Sequence, residues 1–271
     1  MNPNQALWEK GDFTQLARTM RRGGEHFVAS LGIAPGMKVL DVGCGDGTTA
    51  LPEAQAGADV LGVDIARNLV EAGNRRAREA GLANLRFEHG DACDLQGVVD
   101  KSMDLVVSVF GAMFAPKPFD VARHLVRVTR PGGRIVMGNW IPNDPTLVAQ
   151  VLKISAAYTP PPPEGFVSPM LWGVEANVKE RFREAGVPET AVTCTREAFT
   201  FEHDGPPSAF LDLFRQYYGP TMNAYDAADK SGRAADVQRE LLALFESQNT
   251  SGRPDRTVIS PTLMRVTVKL P

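Results

Sequence analysis

Cysteine is scarce in this sequence, and it has no long apolar runs. These two features argue against a disulfide-rich protein, a structural zinc site and a membrane-spanning protein. The three cysteines among 271 residues, at positions 44, 93 and 194, lie far apart. Neither a disulfide framework nor a structural zinc site is therefore expected, since there is no Cys-x-x-Cys spacing and no neighbouring histidine. No stretch reaches the roughly 18–20 apolar residues of a membrane-spanning helix, and the opening residues lack the layout of a signal peptide. We expect a cytoplasmic protein with no bound metal and no membrane partner.

The sequence also lacks an excess of positive charge. Its 29 lysines and arginines are outnumbered by 32 aspartates and glutamates, which gives a net charge of −3. A broad basic surface for nucleic acid is therefore not expected, and the arginine cluster at 75–78 has the helical spacing of a solvated face. With 43% apolar residues, the composition is that of an ordinary globular protein, and the length suits one domain over residues 1–271.

Strand and helix patterns alternate through the first half of the chain. Helical periodicity is present at 66–80 and 117–129, in each case between apolar runs. Such alternation predicts a doubly wound α/β fold, in which a parallel sheet is covered by helices on both faces. Short apolar runs rich in β-branched residues predict five buried strands, over 37–43, 59–65, 85–91, 103–110 and 134–140.

The second half of the chain is less regular. A run of four prolines lies within 141–172 and predicts an extended connector without a helix there. Beyond it, the apolar pattern predicts a helix over 174–186, a ragged sixth strand over 190–203, helices within 207–248 and a last strand over 263–270. We expect residues 1–35 to form N-terminal cap helices, 36–140 the ligand-binding core, and 141–172 and 204–250 helical lid insertions.

A glycine-rich loop follows the first predicted strand, with the sequence Asp-Val-Gly-Cys-Gly-Asp-Gly over residues 41–47. Glycines there let the backbone turn sharply and approach a ligand closely, and the helix that follows presents free amide donors. A dinucleotide site would have the spacing G-x-G-x-x-G, whereas this loop has G-x-G-x-G. Asp41 is a poor neighbour for a pyrophosphate and a good one for a cationic amino group.

Two further acids stand at the ends of the next two predicted strands. Asp64 ends the second strand, where a carboxylate can accept from both hydroxyls of a ribose. Asp91 ends the third and is followed by Ala92, where a carboxylate can accept from an exocyclic amine such as that of adenine. Together with Asp41, these acids suit a ligand with an amino acid end, a ribose and an adenine, and without phosphate. S-adenosylmethionine has these parts.

The chain resembles the class I S-adenosylmethionine-dependent methyltransferases of the small-molecule type. The resemblance rests on five segments in order, "VLDVGCGDG" (39–47), "GVD" (62–64), "GDA" (90–92), "DLVVSVFGAMFAP" (104–116) and "LVRVTRPGGRIVMGNW" (125–140), with "LWEKGDF" (7–13) ahead of them. It implies a seven-stranded, mostly parallel sheet of the Rossmann-like kind and S-adenosyl-L-methionine as the cofactor. The implied cofactor-binding residues are Asp41, Gly43, Cys44, Gly45, Asp64, Ile65, Asp91, Ala92, Ser108 and Phe110.

The methyl acceptor is not specified by any of these motifs. The Asn/Asp-Pro-Pro-Tyr/Phe motif of amine methylation is missing after the fourth strand, where "SVFG" stands, and so are the paired cysteines of arsenic methylation. Among four histidines, His203 is the weak candidate for a base, because it ends the sixth predicted strand on the ligand side. An apolar acceptor pocket is predicted from Met113, Phe114, Trp140, Tyr217 and Tyr218, for an oxygen, nitrogen or carbon nucleophile on a small molecule.

Other functions stay open at this point. A nicotinamide-dependent oxidoreductase would use a related fold but is disfavoured by the loop spacing and by the three acids. A non-catalytic interaction module would not need acids at all three strand ends. A nucleic-acid methyltransferase is disfavoured by the net charge. Comparing the binding of S-adenosylmethionine with the binding of NAD distinguishes a methyltransferase from an oxidoreductase directly.

Overall fold

The computed structural model describes residues 3–271, and it contains the expected doubly wound sheet. Seven strands lie in the order β3-β2-β1-β4-β5-β9-β6, in which β1 to β5 are parallel and β9 runs antiparallel to both of its neighbours. The strands of this sheet are β1 (Lys38–Val42), β2 (Asp59–Asp64), β3 (Leu85–His89), β4 (Met103–Val109), β5 (Thr129–Trp140), β6 (Val192–Ala198) and β9 (Thr262–Lys269). The predicted fold class is confirmed.

Helices cover both faces of the sheet, as its buried strands require. Helix α5 packs on β2 and β3, whereas α6 packs on β5 and on α8. The chain order reverses between β1 and β4, the point at which doubly wound sheets open a crevice for ligands. The helices of the core and its edge are α4 (Ala50–Gln55), α5 (Arg67–Glu79), α6 (Pro118–Val128) and α8 (Glu175–Glu184).

The region 141–172 differs from the prediction, because a helix, α7 (Leu147–Tyr158), occupies its first part. The prolines at 160–163 constrain only themselves and the preceding residue, Thr159, which is extended at ψ 156°. Upstream of them, an apolar run buries Leu147, Val148 and Val151 and is free to be helical. The expected helix-free connector is therefore wrong for residues 147–158.

The sixth strand is also shorter than predicted. Strand β6 ends at Ala198, and Phe199 and Thr200 break the chain direction before β7 (Phe201–His203). Strand β7 pairs with β8 (Thr257–Ile259) in a separate two-stranded sheet. The ragged apolar period over 190–203 reflects this change of partner, since the two halves bury side chains against different neighbours.

The helical region predicted within 207–248 contains three helices, which form a bundle with α7. They are α9 (Pro207–Tyr217), α10 (Gly219–Lys230) and α11 (Ala234–Gln248). Phe210, Phe214 and Phe245 meet edge to face at centroid distances of 5.1–5.4 Å, and each is fully buried. No helix within residues 3–271 is both long and apolar enough to cross a bilayer.

Three helices precede the sheet, α1 (Pro3–Glu9), α2 (Phe13–Ala17) and α3 (Arg21–Ala29), within the predicted cap region 1–35. Residues 1 and 2 of that region lie outside the described part of the chain. The Glu9 carboxylate accepts a hydrogen bond of 3.0 Å from the backbone amide of Arg67, at the start of α5. The Lys10 ammonium pairs with Asp226 on α10 at 2.7 Å. Helix α1 is thus tied on one side to the sheet layer and on the other to the helical bundle.

Candidate active site

A cleft opens at the carboxyl ends of the central strands. The space between its walls, with the open mouth included, is about 890 Å³. Four parts of the chain supply its lining: residues between 4 and 20, between 43 and 69, between 90 and 115, and Phe199. None of the described lining residues comes from 141–172 or 204–250, the two predicted lid insertions.

The floor of the cleft is backbone rather than side chain. Gly43 and Gly45 have φ angles of +67° and +56°, a left-handed conformation that side chains disfavour. A Cβ atom added to Gly43 would lie 2.5 Å from the Cα of Gly111, so the loops after β1 and β4 touch through bare backbone. The glycines therefore serve both the turn and this close approach.

Asp64 is held at the end of β2 with its carboxylate facing the cleft. One of its oxygens accepts the Gly45 amide at 2.8 Å, and the other accepts the Ala66 amide at 2.9 Å. Each carboxylate oxygen has a second lone pair, so both can still accept from a ligand. The side chain is only 7% exposed, and burial raises the pKa of its carboxyl despite the two amide donors.

Asp91 and Ala92 line the same cleft, beyond the end of β3. The Asp91 carboxylate accepts the Cys93 amide at 2.8 Å, which fixes the turn that follows the strand. Cys44 and Ile65 line the cleft beside the first two loops, and Phe110 lines it after β4. The structure thus brings together eight of the ten predicted cofactor residues: Gly43, Cys44, Gly45, Asp64, Ile65, Asp91, Ala92 and Phe110.

Comparison with known proteins identifies the family. A family profile described as a methyltransferase domain matches residues 39–133, the stretch that carries the glycine loop and both strand-end acids. A demethylmenaquinone methyltransferase from Renibacterium salmoninarum is 35% identical over 129 residues, which are 48% of this chain and 52% of that protein. The chain belongs to the class I S-adenosylmethionine-dependent methyltransferases.

Similarity extends along the whole chain in two further proteins. The uncharacterized protein Rv1405c of Mycobacterium tuberculosis is 34% identical over 251 residues, covering 92% of this methyltransferase and 89% of that protein. The crystal structure of the YcgJ protein from Bacillus subtilis superposes with a TM-score of 0.58 at 20% identity, covering 92% and 99% of the two chains. The second likeness is one of fold.

Two predicted cofactor residues of the methyltransferase lie outside the lining of the cleft. Asp41 is fully buried and accepts a hydrogen bond of 2.6 Å from the Thr49 hydroxyl at the start of α4. Ser108 is also buried, donating to the Val42 carbonyl at 2.6 Å and accepting from the Ala112 amide at 2.9 Å. Both side chains hold the loops of the site in place and do not face its ligand space.

The glycine loop of the methyltransferase is also fixed by two arginines that sequence reasoning did not assign to the site. Arg21 pairs with the Asp46 carboxylate and donates to the Thr48 hydroxyl at 3.0 Å. Arg76, within the cluster expected to be a solvated face, donates to the Asp46 backbone carbonyl. Asp46 is 2% exposed, so this buried carboxylate has its counter-charge from outside the loop. Nothing in the spacing of Arg21 indicated such a contact.

A second buried acid lies with Asp41 below the glycine loop. Glu53 on α4 is fully buried, and neither of its carboxylate oxygens has a hydrogen-bond partner among the described residues. Burial raises the pKa of Asp41 to about 7, and burial together with the charge of Asp41 raises the pKa of Glu53 well above its usual value. At least one proton is therefore retained by this pair in the folded protein at mildly acidic pH.

This retained proton predicts how stability depends on pH. Between about pH 4 and pH 7 the folded state binds a proton that the unfolded chain has released, so stability falls as pH rises, by about 1.4 kcal/mol per unit for one proton. Glu53→Gln removes the proton that Glu53 retains but not the one that burial holds on Asp41, so urea titrations at pH 5, 6, 7 and 8 are expected to show a shallower slope that does not vanish. The exposed substitution Glu71→Gln on α5 is the control and should keep the wild-type slope. Equal slopes in all three proteins would contradict the prediction.

Aromatic side chains form another part of the cleft lining, called here the aromatic wall. Trp8, Phe13, Phe110 and Phe199 line the cleft, together with Met20. Trp8 and Phe13 meet edge to face at 5.7 Å, and Phe110 and Phe199 do so at 4.9 Å. Sequence analysis placed only Phe110 among these. Trp8 and Phe13 stand at or next to the ends of the "LWEKGDF" segment, whereas Phe199 stands in a strand-like pattern that gave no reason to single it out.

The predicted acceptor residues lie mostly behind this wall. The Trp140 ring stacks on Phe110 with a distance of 3.6 Å between ring centroids. The rings of Phe114 and Tyr218 pack on Trp8, with centroid distances of 5.0 Å and 6.2 Å. Met113 is buried and Tyr217 half-buried, and neither belongs to the lining. They are best described as support for the rings that face the cleft.

His203, the candidate base, lies outside the lining as well. It ends β7 in the small sheet, and its ring stacks on Phe210 at 5.6 Å. Burial lowers the pKa of its imidazole, which keeps the ring neutral. The strand break at Phe199 and Thr200 is the reason, since it turns β7 away from the main sheet.

Proposed function

We propose that this methyltransferase binds S-adenosylmethionine in the cleft and transfers the methyl group to a small-molecule acceptor. In this proposal Gly43, Cys44 and Gly45 hold the methionine part, Asp64 the ribose, and Asp91 with Ala92 the adenine. The observation that carries it is the placement of Asp64 and Asp91 in one cleft, each fixed by amide donors. The carboxylate oxygens of Asp64 fit two hydroxyls, and the open space beside Gly45, where an added Cβ would meet nothing within 4 Å, leaves room for the ligand.

The chain's own part in the reaction is to bind, to orient and to exclude water. When bound, the cofactor supplies a methyl group made electrophilic by its sulfonium. The backbone contact between Gly43 and Gly111 limits how deeply the ligand can enter the cleft. Hydrogen bonds from the ribose to the fixed Asp64 carboxylate set the orientation of the ligand. The aromatic wall keeps the space above the loop dry, which favours the in-line approach of a nucleophile.

A small acceptor is supported by what closes the cleft. Helices α1 and α2 supply Trp8 and Phe13 across its mouth, and Glu9 and Lys10 tie α1 to α5 and α10. The net charge of −3 gives no attraction toward a phosphate backbone. The insertions at 141–172 and 204–250 then act on the acceptor space indirectly, through Tyr218 against Trp8.

Calorimetry with the purified protein tests the donor. We expect one molecule of S-adenosylmethionine to bind per chain at micromolar concentration, and NAD to give no heat at a hundredfold higher concentration. Binding of NAD in place of S-adenosylmethionine would support an oxidoreductase. Absence of binding by either would support a non-catalytic module. Transfer of a labelled methyl group to a metabolite extract then tests whether the acceptor is a small molecule, by size fractionation of the labelled products.

A further inference from the structure

We propose that the acceptor is a planar, apolar molecule bearing an acidic aromatic hydroxyl, and that it is methylated as its anion. This inference rests on the proposed function of the cleft and adds the class of acceptor to it. Three features carry it: the flat walls of the acceptor half, the placement of the charged groups of the cleft, and the path that the acceptor's proton must take.

The first feature is that the walls of the acceptor half are aromatic rings held in fixed orientations. The Phe110 ring is clamped between Trp140, stacked at 3.6 Å with an interplanar angle of 6°, and Phe199, edge-on at 85°. Trp8 is held by Phe13 and Phe114, with interplanar angles of 88° and 74°. Rings that cannot rotate present flat apolar faces, and a planar ring fits between them better than a bulky saturated one.

The second feature is that the titratable side chains in the described lining all lie on the donor side, in the loops after β1, β2 and β3. They are Cys44, Asp46, Asp64 and Asp91. Asp46 is paired with Arg21, and Asp64 and Asp91 accept backbone amides. Burial and the nearby carboxylates raise the pKa of Cys44 well above its usual value, so its thiol stays neutral.

In this proposal the acceptor half is formed by Phe110 with Trp8, Phe13, Met20 and Phe199, and Asn4 is the polar side chain that the described lining adds beside them. Behind Trp8, burial raises the pKa of Tyr218, so its phenol keeps its proton. On the outer side of α1, Glu9 is engaged with the Arg67 amide and Gln5. Among the described lining residues, the acceptor half therefore presents mainly apolar surface and no titratable side chain.

The third feature is the proton balance of methyl transfer to oxygen. The new O–CH₃ bond forms as the S–CH₃ bond breaks, and the electron pair of that bond stays on sulfur. A neutral hydroxyl must lose its proton by the time this bond forms, whereas an acidic aromatic hydroxyl has already released it to water before entering. The anion and the sulfonium then react to give two neutral groups, and their attraction across an apolar cleft offsets part of the cost of desolvation.

The experiment uses the purified full chain, labelled S-adenosylmethionine and a series of 2-naphthols whose hydroxyl pKa values are graded by ring substituents. We expect the pH midpoint of kcat/KM to follow the pKa of each acceptor, moving by the same number of units. The saturated analogue, decahydro-2-naphthol, is expected to react at least 1,000-fold more slowly. A midpoint common to all acceptors, or comparable turnover of the saturated alcohol, would overturn the proposal.

Two variants of the wall and one control test the recognition of the ring. Trp8→Leu and Phe199→Leu are expected to raise KM for the naphthols about tenfold and to leave the Kd of S-adenosylmethionine unchanged. Phe119→Leu, on α6 and 43% exposed, should change neither. If S-adenosylmethionine does not bind, the proposed function fails. If it binds and no naphthol is methylated, or both wall variants behave as the control does, the acceptor proposal alone fails.

Discussion

Asp64→Asn is expected to weaken S-adenosylmethionine binding by about 100- to 1,000-fold. The carboxylate of Asp64 faces the cleft with a free lone pair on each oxygen, beyond those used by the Gly45 and Ala66 amides. Charge-assisted hydrogen bonds contribute about 1.5–3 kcal/mol each. Losing two at the lower end of this range corresponds to about 3–4 kcal/mol, or two to three powers of ten in Kd. The NH₂ group of asparagine would also replace an acceptor by a donor, either toward the Gly45 or Ala66 amide or toward a ribose hydroxyl.

The matched control lies on the same strand. Asp59→Asn changes an exposed aspartate at the opposite end of β2, far from the cleft lining, and is expected to leave Kd unchanged. Calorimetry gives both affinities, and thermal melting without ligand shows that each variant is folded. A Kd for Asp64→Asn within threefold of wild type would remove Asp64 from the ribose role.

Gly111→Ala is expected to lower stability by about 3 kcal/mol, at the upper end of what overpacking costs, and to abolish cofactor binding at millimolar concentration. The added Cβ would lie 2.3 Å from the Gly43 carbonyl oxygen and 2.5 Å from its Cα. Both are backbone atoms of a loop fixed by hydrogen bonds of Gly43 and Cys44 to the Val63 carbonyl. The loops after β1 and β4 must therefore separate, and the floor of the cleft moves with them.

Gly32→Ala separates this clash from backbone strain. Gly32 has a φ of +60° and nothing within 4 Å of an added Cβ, so alanine there carries only the left-handed penalty of about 1–2 kcal/mol. Gly111 has a φ of −86° and carries only the clash. Urea denaturation measures both losses, and calorimetry should show normal cofactor binding in Gly32→Ala alone. Equal behaviour of the two variants would show that the contact between Gly43 and Gly111 does not shape the cleft.

The part of the cleft proposed to hold the donor was largely predictable, because its residues follow one another at strand ends. Asp64 ends β2 and Asp91 lies two residues beyond the end of β3, and the carboxyl ends of neighbouring parallel strands meet at one edge of the sheet. Asp41 was harder, since it lies within a strand buried on both faces. In such a strand the apolar pattern does not tell which face a given side chain takes, and the Asp41 carboxylate is buried beneath the lining, where it accepts a hydrogen bond from the Thr49 hydroxyl.

The acceptor half was not predictable from local patterns. Trp8 and Phe199 are 191 positions apart, and only the tertiary fold brings them to the same cleft. The strand break at Phe199 and the helix at 147–158 are likewise set by packing partners and not by local propensity. Of the aromatic residues predicted for the acceptor pocket, Phe114, Trp140 and Tyr218 contact rings that line the cleft, whereas Tyr217 lies outside the lining.

The cleft is divided between two sets of chain segments, and this division has a consequence for how such proteins diversify. The donor side lies inside the segment 39–133 that matches the family profile, whereas Trp8, Phe13, Met20 and Phe199 lie outside it. Substitutions in the flanks can therefore alter which molecule is methylated while the donor site is left intact. On the proposed function, we therefore expect the first 20 residues and the strand break to be the places where this enzyme's metabolic role can change with its cofactor chemistry unchanged.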